Sequence, residues 1–220
     1  MHAILNKPEF ELEFIHWIET SLRSGENHLA TSNQGTLLLY QQDGHECVVK
    51  AAMGKSVVYK ARLATLRREY QAYQQMQGVA NIPQCFGFLK QQYLVMEYVR
   101  GTPYREAVWK DREKWFTEFR QTIEACHARG VSHGDLKSKS NIIVTAEQKP
   151  CVIDFGTAII YKPGYHPINH ALFKFSQRLD RNAWVKHKYY GDYSAAIAAD
   201  QDWLKYSKLE TLLRRFRRAS

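Results

Sequence analysis

Apolar residues recur along the first half of the chain with two different periods, and these predict an alternation of helices and strands. Residues 9–24 and 62–77 carry apolar side chains at helical spacing. Short apolar segments separated by polar turns lie before, between and after them, and Asp43-Gly44 is a strong two-residue hairpin signal. These segments predict a five-stranded antiparallel sheet with two helices. The predicted strands are residues 28–31, 36–40, 46–52, 84–89 and 91–98.

The second half of the chain has mainly helical periodicity. Thr102-Pro103 indicates a helix start, because proline is favoured at the first helical position. A longer helix is predicted over residues 110–129. Two short apolar runs, at 142–144 and 151–153, then predict a hairpin of buried strands. Three further helices are predicted at residues 165–181, 182–190 and 204–218.

Length and composition limit the class of protein. The 220 residues suit one domain or two closely packed lobes. With 45% hydrophobic and 24% charged residues, the chain can bury a core. No apolar run approaches the ~20 residues that span a bilayer. The acidic residues near the N-terminus argue against a signal peptide. The formal charge of +9 favours anionic partners.

The four cysteines predict neither disulfides nor a zinc site. They are widely spaced, contain no C-x-x-C pair and stand among apolar residues. We therefore expect buried free thiols and a reducing, cytoplasmic environment. These residues are Cys47, Cys85, Cys126 and Cys151.

Three polar residues stand at the ends of the predicted hairpin, where a plain core would not need them. Asp135 and Asn141 precede the first of its strands, and Asp154 follows the second. Carboxylate and amide oxygens at the ends of adjacent strands can hold Mg²⁺. Asp135 could also accept a proton from an attacking hydroxyl group. The sequence around these residues reads H-G-D-L-K-S-K-S-N and then D-F-G.

This stretch resembles the catalytic loop and metal-binding turn of the protein kinase superfamily. Asn141 follows Asp135 by one residue more than in the usual kinase pattern. The resulting D-L-K-x-K-x-N spacing is similar to that of small bacterial kinase-like proteins near the lipopolysaccharide-core and RIO-type kinases. The resemblance implies an α+β, two-lobed kinase-like fold with a truncated C-terminal lobe. The expected single domain, 1–220, has an N-lobe at about 1–98, a hinge at about 97–101 and a C-lobe at about 102–220.

The resemblance also implies an ATP site built on Lys50 and Glu69. A lysine within an apolar strand is costly unless its ammonium group meets an anion. In this family such a lysine meets the α- and β-phosphates and a helix glutamate, and Glu69 lies beside the apolar stripe of the second helix. The alternatives are a Lys50 that reaches solvent and an exposed Glu69 paired with a neighbouring arginine.

Other nucleotide contacts are expected from a turn and from the hinge. The family's G-x-G-x-x-G loop is absent, and Gly35 alone remains to face the phosphates, or to serve as an ordinary turn glycine. The backbone of Glu97 and Val99 in Met96–Gly101 is expected to bind adenine. Asn141 and Asp154 would hold Mg²⁺, and Asp135 would orient the acceptor hydroxyl. His133 is expected to support the loop through a hydrogen bond.

The acceptor is the least determined part of the interpretation. Lys137, two residues after Asp135, favours a serine/threonine protein kinase in which it neutralises the transferring phosphoryl group. The expected truncation and the basic tail favour a lipopolysaccharide-core sugar. A nucleotide-binding pseudokinase is a further alternative, suggested by the missing glycines. No nucleic acid partner is expected.

The last predicted helix, residues 204–218, places leucines and a phenylalanine opposite lysines and arginines. It is interpreted as either a solvated helix or a peripheral contact with an anionic membrane. The second interpretation would place the protein on the inner face of the cytoplasmic membrane. Its cations include Arg214, Arg215, Arg217 and Arg218.

Overall fold

An antiparallel sheet and two helices form the first lobe of the computed structural model, which describes residues 8–32, 35–42 and 44–204. The sheet runs in the order β1-β2-β3-β5-β4, so β3 is its central strand. This arrangement confirms the predicted five-stranded sheet. The elements are α1 (Pro8–Ser24), β1 (His28–Ser32), β2 (Gly35–Gln42), β3 (His45–Ala51), α2 (Ser56–Gln75), β4 (Cys85–Leu89) and β5 (Tyr93–Met96).

The register of the sheet places Lys50 on its central strand. Lys50 pairs with Leu37 of β2 on one side and with Leu94 of β5 on the other. The β2–β3 pairing extends to Gln42 and His45, as the predicted two-residue hairpin requires. Because every second residue of a strand points to the same face, this register fixes the face on which the Lys50 side chain lies.

The α1 helix covers the face of the sheet opposite the second lobe. Its helically spaced Phe14 and Ile18 are buried against Leu38, Tyr40 and other side chains of the sheet. The Phe14 and Tyr40 rings meet edge to face with their centroids 4.9 Å apart. The apolar period that predicted α1 is therefore the face that holds it on the sheet.

The α2 helix begins earlier than its periodicity predicted. Its first residue is Ser56 rather than Arg62, and its buried residues are Leu66, Glu69, Ala72 and Tyr73. The first turn contains Val57 and Val58, which are exposed. A turn without a buried face leaves no amphipathic pattern, so the sequence did not reveal it.

The second lobe contains short strands and two long helices. Its expected combination with the sheet lobe, an α+β two-lobed arrangement, is confirmed. A three-stranded sheet has the order β6-β8-β9, and β10 pairs with β7. The elements are β6 (Gly101–Pro103), α3 (Arg112–Ala128), β7 (Val131–Ser132), β8 (Ile142–Thr145), β9 (Pro150–Val152), β10 (Ile159–Ile160), α4 (Pro167–Lys188) and α5 (Ala198–Gln201).

The helix predicted to begin at Thr102-Pro103 is present only as a 3₁₀ turn, Tyr104–Glu106, for which Pro103 is the N-cap. Gly101–Pro103 forms β6 at the edge of the small sheet, where it pairs with β8. An edge strand tolerates proline because the missing N–H can face away from its neighbour. A Cβ on Gly101 would lie 2.5 Å from the Val144 carbonyl oxygen, so the close pairing of these strands requires glycine there.

The prediction of two short helices at 165–181 and 182–190 was wrong, because Pro167–Lys188 is one helix. Its buried face continues through the proposed junction, with Asp180, Ala183, Trp184 and His187 at spacings of three and four residues. Asp180 stands next to the boundary predicted between the two helices. In the structure it is buried and accepts backbone hydrogen bonds, as described below.

The two lobes share one core, and the predicted burial of the four cysteines is confirmed. Val48 and Leu66 of the first lobe belong to the same buried cluster as Phe119 and Trp184 of the second. All four cysteines are buried free thiols, and burial raises the pKa of Cys126 to about 12. Among the described helices, none has the length and apolarity needed to cross a membrane. The predicted helix at 204–218 lies almost wholly outside the described residues.

Candidate active site

A cleft of about 350 Å³ lies between the two lobes, a size suited to a small-molecule ligand. It brings together most of the residues singled out in the sequence. The predicted residues that line it are Gly35, Lys50, Glu69, Glu97, Val99, Asn141 and Asp154. Asp135 lies beside the cleft, linked to Asn141, and Lys137 is exposed on the loop beyond it.

Lys50 lies at the centre of the cleft, between two carboxylates. Its Nζ lies 2.6 Å from an oxygen of Glu69 and 3.0 Å from an oxygen of Asp154. Glu69 comes from α2 and is 1% exposed, so the alternative of a solvated glutamate is excluded. These two contacts join β3, α2 and the loop after β9, three elements distant in sequence.

The charges of these three groups depend on one another. Burial opposes the Lys50 charge, but Glu69 and Asp154 outweigh it and raise the pKa of Lys50. Burial likewise opposes ionisation of Asp154, but Lys50 outweighs it, so the pKa of Asp154 is lowered. For Glu69, burial prevails over the attraction of Lys50 and raises its pKa. The cleft therefore keeps Lys50 cationic and Asp154 anionic at neutral pH.

We expect Glu69→Gln to lower activity with little loss of stability. The variant keeps the shape of the side chain and removes a charge that burial disfavours, while Lys50 keeps Asp154 as a partner. Lys50 would then be drawn towards Asp154 and away from a phosphate. We expect at least a tenfold fall in turnover, and a melting temperature within a few degrees of the wild type, measured by radiolabel transfer and calorimetry.

Glu113→Gln is a matched control for this experiment. Lys188 also lies between two carboxylates, at 3.0 Å from Glu113 and 2.7 Å from Asp200, but away from the cleft. Loss of that ion pair should leave turnover unchanged. Equal turnover in the two glutamine variants would contradict a role for Glu69 in positioning Lys50.

The catalytic-loop residues are joined by a short hydrogen-bond network. The Asn141 Nδ2 donates to the Asp135 carbonyl oxygen at 3.1 Å and lies 3.5 Å from a carboxylate oxygen of Asp135. The Asp135 amide donates to Nδ1 of the buried His133, whose Nε2 faces the Ile153 carbonyl oxygen at 2.9 Å. His133 thus ties the loop to the residue before Asp154, which agrees with its predicted supporting role.

Asp180 of α4 is a supporting residue that the sequence did not reveal. It is 1% exposed, and its carboxylate accepts the backbone N–H groups of His133 and Gly134, both at 2.8 Å. It also lies 2.9 Å from Nε2 of His127 on α3. The carboxylate therefore fixes the backbone immediately before Asp135. Only its distance in sequence from the H-G-D motif hid this role.

Two further contacts join the loop to the rest of the second lobe. Burial lowers the pKa of His187 to about 4, so its imidazole is neutral and donates from Nε2 to the Leu136 carbonyl oxygen at 2.7 Å. The Lys139 ammonium lies 5.5 Å from the Tyr104 ring centroid. Lys139 therefore has a structural partner, whereas Lys137 is exposed and its catalytic role stays a prediction.

We expect Asp180→Ala to destabilise the protein and to abolish activity together. The change leaves two buried N–H groups and His127 without their acceptor, at a cost on the order of 3 kcal/mol. Urea unfolding would measure the loss of stability. Asp192→Ala, at an exposed turn, should change stability much less. A stable and fully active Asp180→Ala protein would show that the loop does not depend on this carboxylate.

The segment predicted to be the hinge follows β5 directly. The Glu97 amide donates to the Gln84 carbonyl oxygen at 2.8 Å, and the Glu97 carboxylate accepts the Gln84 amide at 2.9 Å. The Glu97 N–H is thus already used, and its carbonyl oxygen is the group it can offer to a ligand. The Val99 amide is the corresponding candidate donor.

Gly35 has a steric explanation independent of any ligand. A Cβ at this position would lie 2.2 Å from the Ala51 carbonyl oxygen, and its φ is +151°. Only glycine fits where β2 approaches the end of β3. Its place on the cleft leaves the predicted phosphate contact as a proposal. Asn33 and Gln34 of the same predicted turn lie outside the described residues.

Arg62 lines the cleft but was not singled out by the sequence pattern. It lines the cleft together with Thr65, Leu66 and Glu69 and donates to the Met53 carbonyl oxygen at 2.6 Å. Arg62 and Glu69 are seven residues apart, a spacing that places two side chains on the same face of a helix. That spacing was the sequence signal that Arg62 lies on the same face of α2 as Glu69.

The oxygen donors of the cleft fit Mg²⁺. Asp154 has a left-handed backbone with φ 66°, an unusual conformation for a residue other than glycine. Because the Asn141 Nδ2 donates a hydrogen bond to the Asp135 carbonyl oxygen, the Asn141 Oδ1 is the atom that can bind a metal. Mg²⁺ commonly takes one or two protein oxygens together with substrate phosphates. Among the described residues no cluster of three or more His, Cys, Asp or Glu side chains forms an all-protein metal site.

Comparisons with known proteins agree with this geometry. The family model for the protein kinase domain matches residues 33–191. The CBL-interacting protein kinase 12 of Oryza sativa subsp. japonica is 32% identical over 139 residues, which cover 57% of this chain and 25% of that protein. The calcium-dependent protein kinase 29 of Arabidopsis thaliana is 22% identical over 173 residues, covering 73% of this chain and 32% of its own length. The chain therefore spans about a quarter to a third of these relatives.

Proposed function

Because the chain belongs to the protein kinase domain family, we propose that it transfers the γ-phosphoryl group of ATP to a serine or threonine hydroxyl of a protein. The observation that carries the proposal is the position of Lys50 between Glu69 and Asp154. A buried lysine held by one carboxylate from a helix and another from the metal-binding turn suits a triphosphate site. The names of the plant relatives, which include a serine/threonine-protein kinase, support the choice of acceptor.

The nucleotide would lie with its adenine against the hinge. The Glu97 carbonyl oxygen and the Val99 amide form an acceptor–donor pair that matches the edge of adenine. Lys50 would then contact the α- and β-phosphates while Glu69 fixes its direction. Gly35 would lie over the phosphates from β2. Catalysis by such a site is mostly positioning and electrostatic stabilisation.

Asn141 and Asp154 are the proposed Mg²⁺ ligands. When bound, the ion would neutralise charge that develops on the phosphate oxygens. Asp154 supplies an anionic oxygen at neutral pH because Lys50 keeps its pKa low. Asn141 supplies a neutral oxygen and, through its Nδ2, also holds the Asp135 backbone. One residue would thus couple the metal ligands to the acceptor side of the cleft.

Asp135 is the proposed group that orients the acceptor hydroxyl and takes its proton. Its backbone is fixed by Asn141 and by Asp180 through Gly134. The exposed Lys137 would approach the transferring phosphoryl group from the acceptor side. These residues, with Lys50 and Asp154, support an active kinase over a nucleotide-binding pseudokinase.

A lipopolysaccharide-core sugar is the second candidate acceptor. The segment between Asp154 and α4 is short. The Tyr161 N–H in it donates a hydrogen bond to the Gly130 carbonyl oxygen at 2.8 Å. The Lys162 amide also donates to Asn169 at 2.8 Å. A short, fixed segment presents little surface for an extended peptide. Membership of the bacterial lipopolysaccharide-core or RIO-type groups, and a place at the cytoplasmic face of a membrane, stay part of this proposal.

Transfer of label from γ-labelled ATP tests the proposed function. The purified chain would be incubated with labelled ATP and Mg²⁺ in three reactions: with casein, with dephosphorylated lipopolysaccharide, and without an added acceptor. The labelled products of each reaction would then be separated. We expect labelled phosphoserine or phosphothreonine that is lost on addition of EDTA. Label found on lipid alone would favour the second acceptor. Measurable ATP binding without transfer to any acceptor would identify a pseudokinase.

A further inference from the structure

The outer surface of α4 has an unusual charge composition. Between residues 155 and 191 the sole carboxylate is Asp180, which is 1% exposed and already accepts hydrogen bonds from the catalytic loop. The same segment carries cations throughout, and several are exposed or half-buried. This surface therefore attracts anions, except at Lys188, which already pairs with Glu113 and Asp200. These cations are Lys162, Lys174, Arg178, Arg181, Lys186 and Lys188.

The same helix exposes an apolar stripe beside these cations. Ile168, Leu172 and Phe175 lie at helical spacing and are 76%, 50% and 45% exposed. Tyr165, just before the helix, is 91% exposed. We call these four residues the outer stripe. The Arg178 guanidinium lies 5.3 Å from the Phe175 ring centroid, which places a cation at the edge of the stripe.

We propose that the outer stripe binds the surface of an anionic lipid bilayer. A helix with an apolar stripe flanked by lysine and arginine is the arrangement that lies in a membrane interface. Exposure increases along the stripe towards Tyr165 and Ile168, so the side chains at the N-terminal end of α4 are its most accessible apolar groups. Accessible side chains on a single helix can enter a fluid surface, whereas a partner helix would be better held by a groove with two walls.

A second copy of this chain fits the stripe less well. Contact between two identical stripes would bring Lys174 and Arg178 of both copies together, and the whole chain already has a formal charge of +9. An acidic protein segment would satisfy the charges equally, and the experiment below separates it from lipid. The proposal does not depend on kinase activity.

The α4 helix connects the proposed membrane-binding surface with the catalytic loop. Ser176 follows Phe175 and lies under the catalytic loop, so close that a Cβ on Gly134 would be 3.1 Å from its Oγ. Gly134 immediately precedes Asp135. Binding through the outer stripe would therefore hold the loop that carries Asp135 near the bilayer surface.

Co-sedimentation with vesicles tests the proposal. The full chain would be mixed with vesicles of phosphatidylcholine alone or of phosphatidylcholine with about 30% phosphatidylglycerol. The second composition represents an anionic membrane. We expect binding to the anionic vesicles alone. The double variant Ile168→Ser/Leu172→Ser should lower the partition coefficient about tenfold. Lys174→Gln/Arg178→Gln should lower it by a similar factor at low salt, and less as salt rises.

Val57→Ser/Val58→Ser is the matched control. These residues of α2 are 79% and 53% exposed, nearly the same as Ile168 and Leu172, and α2 also carries the exposed cations Arg67 and Arg68. Its helical neighbours on the exposed side include Ala61 and Ala64 in place of a continuous apolar stripe. The control should bind vesicles like the wild type, and thermal melting should show all variants folded.

Four results would overturn the proposal, three of them from the vesicle assay. The first is an unchanged partition coefficient for the folded outer-stripe variants. The second is equal loss in the α2 control, which would mean that cations and scattered apolar residues suffice. The third is loss of binding on replacement of Arg214, Arg215, Arg217 and Arg218 by glutamine while the outer-stripe variants bind normally. Binding to soluble polyglutamate but not to anionic vesicles would likewise replace lipid with an acidic protein partner.

Discussion

Asp135→Asn should abolish phosphoryl transfer while nucleotide binding changes little. The amide keeps the shape of the side chain but cannot take a proton from the acceptor hydroxyl. Asp135 does not line the nucleotide cleft, and its backbone contacts with Asn141 and His133 do not involve its charge. We expect turnover to fall by about 10²–10⁴-fold, the usual contribution of general base catalysis.

Two measurements on the Asp135→Asn variant separate chemistry from binding. Single-turnover label transfer reports the chemical step, and calorimetry with a non-hydrolysable ATP analogue should give a dissociation constant within about threefold of the wild type. Asp111→Asn is a suitable control, because this N-cap of α3 accepts from the Lys114 amide and asparagine caps equally well. Near-normal turnover in Asp135→Asn would remove this residue from the mechanism.

The sequence predicted the first lobe well because its signals are local. Alternating apolar residues, the Asp43-Gly44 turn and the stripe on α1 each act over a few residues. Lys50 and Glu69 could be paired before the structure was known because the resemblance to protein kinases implies this ion pair, and a buried lysine needs an anion nearby. The roles of both residues in nucleotide binding stay predictions.

Long-range contacts account for what the sequence did not show. Asp180 stands next to the boundary predicted between two helices, and a charged residue is rarely buried without a partner. Its partners are the backbone N–H groups of His133 and Gly134. Every residue other than proline has a backbone N–H, so the amino-acid sequence does not indicate which ones Asp180 binds. The strand at Thr102-Pro103 was missed for a related reason, since its partner β8 is distant in the chain and Thr102 pairs with Val144.

The Asn141 spacing shows how a local departure can be absorbed. The extra residue before Asn141 is accommodated by a short 3₁₀ helix, Lys139–Asn141, whose last residue is buried. Its side chain still reaches the Asp135 carbonyl oxygen at 3.1 Å. The longer loop therefore brings Asn141 next to both Asp135 and the cleft, and the departure in sequence does not separate these groups in space.

Asp154→Ala should remove the Mg²⁺-dependent part of nucleotide binding together with turnover. The carboxylate is the proposed anionic metal ligand, and it lies 3.0 Å from Lys50. Alanine also places a side chain without polar groups at φ 66°, where it is strained by about 1 kcal/mol. Asp154→Asn avoids this second effect, because asparagine tolerates the left-handed conformation while it lacks the charge.

Comparison of the two Asp154 variants in calorimetry decides the assignment. With Mg²⁺ present, both should bind ATP at least tenfold more weakly than the wild type, whereas in EDTA all three proteins should bind alike. The lowered pKa of Asp154 predicts that the wild-type advantage persists through neutral pH and fades as the carboxylate is protonated in acid. Unchanged Mg²⁺·ATP affinity in Asp154→Asn would refute the metal assignment. Weak binding by the alanine variant alone would then be assigned to backbone strain.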